Sequence, residues 1–208
     1  MYSREVWDYV YKKHKKDAPW LSDACCDIYS AAINPYLPKE INGLYMLDYG
    51  CGNGKIAARL RNKGAKIDLA EISHRMIKFL NRHYYSCNIF EVDIPQRIGK
   101  ANSYDFIITW MLFCNIQSDF WTGFLNGFYE LLKPGGNLLI GGWDKDDPIN
   151  IKNHNIVVFT EREMWPINDL LTKLDQSKFK ILANDKLLIK LPFYNDNRAV
   201  RCFKLEKI

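Results

Sequence analysis

Leu47-Asp48-Tyr49-Gly50-Cys51-Gly52-Asn53-Gly54 reads as the end of a buried strand running into a glycine-rich turn, with a helix from Lys55 to Arg61 behind it. Glycine is required where φ is positive, or where a Cβ would strike whatever lies against the turn. The helix that follows starts with backbone N–H groups that its own first turn cannot pair. Such a turn lets a nucleotide-like molecule rest on bare backbone. The pattern is common on its own, and its neighbours give it meaning.

Those neighbours follow in order. Ala65 to Glu71 reads as a second strand ending in a carboxylate, and Glu71 follows Gly50 by 21 positions. An acid about 20 residues past the turn, at the tip of strand two, is placed to accept hydrogen bonds from ribose hydroxyls. Asn88 to Ile94 is a third strand tipped by Asp93, and Tyr104 to Thr109 is a fourth. Leu131-Leu132-Lys133-Pro134-Gly135-Gly136 ends a helix and turns into a fifth, Asn137 to Gly142. Strands alternating with helices imply a parallel α/β sheet. Each acid alone also fits a turn cap or a solvated loop; those readings do not place all three at strand tips on one edge. In a dehydrogenase-type turn two residues separate the second and third glycines. Here Asn53 alone separates Gly52 from Gly54.

This set resembles the class I, Rossmann-like S-adenosylmethionine-dependent methyltransferases, closely over Leu44 to Trp143 and loosely elsewhere. The resemblance implies an α/β, three-layer fold with a seven-stranded, mostly parallel sheet of order 3-2-1-4-5-7-6 and an antiparallel last strand. It implies S-adenosyl-L-methionine as cofactor, with Asp48 at its methionine part and Gly50, Cys51 and Gly52 facing it as backbone. Glu71 would bind the ribose, Ile72 flank the adenine, and Asp93 with the Ile94 N–H read the adenine edge. Thr109 and Trp110 would line the sulfonium and the methyl path, as cofactor-binding residues. The Trp7, Asp8, Tyr11, Trp20 pattern is similar to the N-terminal helical lid of small-molecule members, which makes Trp20 a candidate cofactor contact or, equally, a staple of lid to core.

The chain reads as one domain: a lid over 1–40, a cofactor-binding core over 44–142, and a substrate loop, helix and closing hairpin over 143–208. With 208 residues it has room for a single core. Ser3 to His14 has helical spacing, with Val6, Tyr9, Val10 and Lys13 on one side; Leu21 to Ile33 is a second helix capped by Ser22 or Asp23, stopped by Pro35 and Pro38. A further helix runs from His74 to His83 after Ser73. Another, begun by Ser118 or Asp119, carries Trp121, Phe124, Leu125, Phe128 and Leu132 on one apolar face. Thr160 and Glu163 form a capping box whose helix Pro166 would shift or kink. Lys178 to Leu191 and Arg198 to Glu206 alternate like closing strands.

The net charge of +5 is modest, and its one compact basic run, Lys12 to Lys16, fits a solvated helix face, so composition argues against a nucleic-acid partner. The six cysteines contain no CxxC, no metal-ligand spacing appears, and the polar N-terminus has no signal peptide. The expectation is a cytoplasmic protein without a membrane span, with its oligomeric state unread.

Several acceptor classes fail at the end of strand four. The Asn/Asp-Pro-Pro-Tyr/Phe of nucleic-acid amino-methyltransferases is absent, and Asn34-Pro35-Tyr36 lies before strand one. There is no Pro-Cys nucleophile. The Asp that metal-dependent catechol enzymes carry there is replaced by Thr109 and Trp110, so no metal is expected. A small-molecule acceptor remains, bounded by the lid, by Trp110 to Asn115 and by the loop after strand five. Asn115, Trp143, Asp144, His154 and Tyr194 are its candidate polar groups. Asn115 and His154 are the catalytic candidates; His154 is a general base or a plain surface histidine, and Cys114 reads as core. Three readings stand: O-, N- or S-methyl transfer to a small molecule; the same fold consuming S-adenosylmethionine through its aminobutyl group, releasing methylthioadenosine; and a non-catalytic partner subunit.

Overall fold

The computed structural model describes residues 3–14, 19–84, 86–92, 98, 100–148 and 165–208. Seven strands form one sheet in the order β3-β2-β1-β4-β5-β7-β6. They are β1 (Tyr45–Tyr49), β2 (Lys66–Glu71), β3 (Ile89–Glu91), β4 (Tyr104–Trp110), β5 (Leu132–Trp143), β6 (Phe179–Ile189) and β7 (Arg198–Lys207). The first five are parallel, and β7 runs antiparallel between β5 and β6. The expected class and strand order are therefore the observed ones.

Five α-helices accompany the sheet: α1 (Arg4–His14), α2 (Asp23–Ile33), α3 (Lys55–Asn62), α4 (His74–His83) and α5 (Trp121–Leu131). Ser22 caps α2 by accepting from Cys25 N, and Ser73 caps α4 by accepting from Met76 N. Strand alternation decides which face each helix covers. Tyr49 points at α5, where its ring meets Phe124 and Phe128 edge-on. Asp48 and, through the register Asp48–Ile108, Trp110 point to the other face, where Trp110 meets Tyr29 of α2. Phe113 and Trp121 complete the aromatic layer under α5, so much of the ring content fills core.

Three expectations change. Along α1, Val10 and Tyr11 are buried and Trp7 packs partly buried beside them, while Tyr9 is 61% exposed. Tyr9 and Tyr11 are the same residue type, and only contact with the body chooses between them. The Lys133 to Gly136 stretch lies inside β5 as a bulge: Tyr104 pairs with Leu132, and pairing resumes at Phe106 with Asn137. After Pro166 the chain makes a 3-10 segment, Ile167–Lys173. The capping box at Thr160 and Glu163 lies outside the described residues, as do Asp93, Ile94 and His154.

The end of β5 packs without room for side chains. A Cβ on Gly141 would stand 2.2 Å from the Trp110 ring. Gly141→Ala should force that ring out of place and cost about 1–3 kcal/mol, read as a lower denaturant midpoint at unchanged slope. An unchanged midpoint would mean that Trp110 does not occupy this position.

Candidate active site

β1 and β2 end side by side, and the turn after β1 is tied to β2. Gly50 N and Cys51 N both donate to Ala70 O, at 2.8 and 3.1 Å. Gly50, Gly52 and Gly54 all have positive φ, at 78°, 54° and 72°, which is the backbone requirement the sequence announced. The buried Glu71 carboxylate accepts Gly52 N at 2.9 Å on one oxygen, and Ile72 N and Ser73 N at 2.9 and 3.0 Å on the other. Burial raises its pKa while these backbone donors hold it down. Glu71 is thus first a clamp on the glycine turn, a role the sequence did not disclose. An ionised carboxylate offers about four acceptor positions, so room for one hydroxyl remains on the oxygen facing Gly52.

The lid reaches this turn. A Cβ on Gly52 would meet Leu21 at 3.3 Å and the Tyr11 hydroxyl at 3.7 Å, and one on Gly50 would meet Leu112 at 3.1 Å. Asn53 Nδ2 and Lys55 Nζ both donate to Leu21 O, at 2.9 and 3.0 Å. Trp20, the residue before, is half-buried against the core. Asp8 on α1 accepts from Ser73 Oγ at 2.6 Å and Arg75 N at 3.1 Å. Its role as a second cap of α4 was missed, although Asp8 stood in the pattern that suggested the lid.

Asp48 is buried, and its Oδ2 has no hydrogen-bond partner. Desolvation, and then the Glu71 charge, push its pKa up to about 7; the Ala57 N–H opposes this. A carboxylate left this way accommodates a cationic group far better than nothing. Thr109 Oγ1, Trp110 Nε1 and Trp143 Nε1 are likewise buried without partners. These four atoms lie at the carboxyl tips of the adjacent strands β1, β4 and β5, the edge where open α/β sheets bind ligands. Thr109 alternates to the α5 face and so does not share Asp48's side.

The chain leaves β4 through a strained residue. Met111 has φ 59°, left-handed for a non-glycine. Its N–H donates to Gly141 O at 2.7 Å, and its carbonyl accepts from Asn115 Nδ2 at 2.6 Å and Cys114 Sγ at 3.2 Å. Asn115 is therefore engaged as a backbone clamp. Cys114 is core, with burial pushing its thiol up to about 12. Asp144 is also engaged, accepting Arg201 Nε at 2.7 Å and Asn168 Nδ2 at 3.1 Å. Ile72 is buried beside Glu71.

A family model described as a methyltransferase domain matches residues 20–182. The chain belongs to the methyltransferase-domain family. Its fold is that of the class I, Rossmann-like S-adenosylmethionine-dependent methyltransferases. A methyltransferase from Mesorhizobium loti superimposes with a TM-score of 0.69 at 14% identity, covering 87% of this chain and 99% of that one. Magnesium protoporphyrin IX methyltransferase from Synechocystis, solved with bound SAH, gives 0.69 at 16% identity over 98% and 94%. A ubiquinone biosynthesis O-methyltransferase from Methylocella silvestris is 28% identical over 105 residues, 49% of this chain and 40% of that protein. The match thus spans less than half of that relative.

In this methyltransferase domain Asp48 sets a pH signature. Its carboxyl titrates near 7 in the fold against an ordinary value of 3.8, so the folded state holds the extra proton between those values. Its contribution to stability is present at low pH and is lost as pH rises towards 7. Asp48→Asn does not titrate. It should stabilise the ligand-free protein by about 1–3 kcal/mol at pH 8, with the gain vanishing near pH 4. Equal effects at both pH values would mean that Asp48 is not desolvated.

Proposed function

We propose that this domain transfers the methyl group of S-adenosylmethionine to a small-molecule acceptor by in-line displacement, without a metal ion. The observation that carries this is the buried, unpartnered Asp48 oxygen under the glycine turn, which suits the cationic methionine part of the cofactor. When bound, S-adenosylmethionine supplies a methyl group already activated by the sulfonium charge.

The chain's own work is binding, orientation and exclusion of water. Asp48 would hold the cofactor's amino group, and Glu71 would take one ribose hydroxyl on its remaining acceptor position. Ile72 would flank the adenine, and Asp93 with Ile94 N–H would read its edge. Leu21, Tyr11 and Trp20 on the lid, with Leu112 from below, would close an apolar cover over the turn. The clamped Met111 carbonyl would fix the segment that carries the acceptor, making Asn115 a positioning residue. Holding the acceptor atom close and collinear supplies much of the acceleration. A base such as His154 is needed only for an acceptor that must lose a proton. The tip of β4 offers a threonine and a tryptophan where a metal site would want carboxylates, and among the described residues no group of three or more His, Cys, Asp or Glu could hold a metal ion.

The relative from Methylocella silvestris is named for O-methylation of a small molecule, which supports that acceptor class. A cytoplasmic setting fits the absence, among the described residues, of a helix long and apolar enough to cross a membrane.

Calorimetry with S-adenosylmethionine should show one site, weakened about 5- to 150-fold by Glu71→Ala, the loss of one buried bond with its turn geometry. Mass spectrometry of the same mixture should show the cofactor intact until an acceptor is added. Release of methylthioadenosine with no acceptor would instead establish the aminobutyl chemistry. No binding at all would leave a non-catalytic partner subunit.

A further inference from the structure

The methyl-transfer reading leaves the acceptor unnamed, and the ends of β4 and β5 carry chemistry that bears on it. Trp110 closes β4 and Trp143 closes β5, and both side chains are more than nine-tenths buried. Trp110 is paired with Gly141, so Trp143 lies two residues further along on the same face of the sheet. Neither indole Nε1 has a hydrogen-bond partner. An indole N–H is a donor only, and a buried donor left unmade is costly enough that a persistent one calls for an explanation.

Both rings are held in place. Trp110 lies flat where Gly141 has no Cβ, and the Tyr29 ring stands 6.2 Å from it. Trp143 carries the Arg198 guanidinium 5.0 Å from its ring centre, and that guanidinium also lies 4.0 Å from the Tyr194 ring. Arg198 in turn is fixed by Asp147, through Nε at 3.0 Å and a second bond from its Nη2. Rotation of either indole toward a protein acceptor would break this packing, so the N–H directions are preset.

The charges nearby are spent. Asp144 is paired with Arg201, and Asp147 with Arg198 and with Ala199 N. Burial raises the Tyr29 and Tyr194 hydroxyls and the Cys114 thiol, which keeps all three neutral. The described wall at the ends of β4 and β5 therefore consists of rings and neutral donors, with Asp144 and Asp147 already bound to arginines and Asp48, at the end of β1, assigned to the cofactor's amino group. An ammonium group would find no counter-charge there. Oxygen lone pairs on a flat molecule would find two waiting donors and ring faces to stack on.

We propose that Trp110 and Trp143 are the acceptor-reading donors of this domain, and that they select a planar, ring-bearing substrate carrying phenol, carbonyl or carboxylate oxygens over an amine-bearing one. This rests on the methyl-transfer reading, and deepens it by assigning the substrate class and two specificity-determining residues.

The test is the indole N–H spectrum of ¹⁵N-labelled protein saturated with S-adenosylhomocysteine, titrated with 4-hydroxybenzoate, catechol and benzylamine. Two of the six tryptophan signals, those of Trp110 and Trp143, should move with the first two probes and stay with the amine. Trp110→Phe and Trp143→Phe should each weaken the oxygenated probes about tenfold, and with Trp143→Phe the S-adenosylhomocysteine affinity should stay within about twofold. If S-adenosylhomocysteine does not bind, the methyl-transfer reading falls and the selection with it. If it binds but neither indole responds, or the amine moves them equally, the selection alone is overturned. Should a Phe variant fail to fold, the wild-type signals still decide, because they report the bond itself.

Discussion

Glu71 closes the glycine turn, and the geometry of the sheet's carboxyl edge follows from that closure. Its buried carboxylate gathers three backbone N–H groups, from Gly52, Ile72 and Ser73, while Ala70 O gathers two more from Gly50 and Cys51. The turn after β1 is thereby tied to the end of β2, and α4 begins from the same knot. Charge-assisted bonds of this kind are stronger than neutral ones, and burial strengthens them again. The consequence is a division between two neighbouring acids. Glu71 is largely satisfied by the protein. Asp48, a strand away, is buried with one oxygen unmet and with the Glu71 charge raising its pKa.

A fold selected only for stability would not keep such an edge. Asp48, Thr109, Trp110 and Trp143 leave polar atoms unmade along three adjacent strand tips, and Met111 sits in a left-handed conformation between them. The rest of the molecule compensates: an aromatic layer under α5, a capped α4, and ion pairs that pin β7 against the segment after β5. Four unmet polar atoms and a left-handed residue clustered at one edge are the distribution expected where binding rather than folding sets the local chemistry.

The sheet was legible in the sequence because its signals are local and periodic. Strand tips, glycines and acids at fixed offsets identify β1 through β4, and alternation identifies the β6–β7 hairpin. Less legible were features decided by contact. Whether Tyr9 or Tyr11 faces the body depends on where α1 docks. Whether Glu71 faces a ligand or the turn depends on where Gly52 N–H points, and no spacing rule carries that. Asn115 is a catalytic candidate by its polarity and its place near a strand tip; that its amide donates to the Met111 carbonyl is visible only in the fold. Trp110 and Trp143 were noticed as residue types, but their unmet N–H groups become visible only once the packing against Gly141 and Arg198 is known.

The central claim is that Asp48 is a desolvated carboxylate awaiting a cationic partner. Carbon-13 detection of its carboxyl through a pH titration, with and without S-adenosylmethionine, tests it directly. The account predicts a midpoint near 7 in the free protein that falls by at least about two units with the cofactor bound, as expected for a carboxylate gaining a positive neighbour. A midpoint in the ordinary carboxylate range, unmoved by the cofactor, would contradict it.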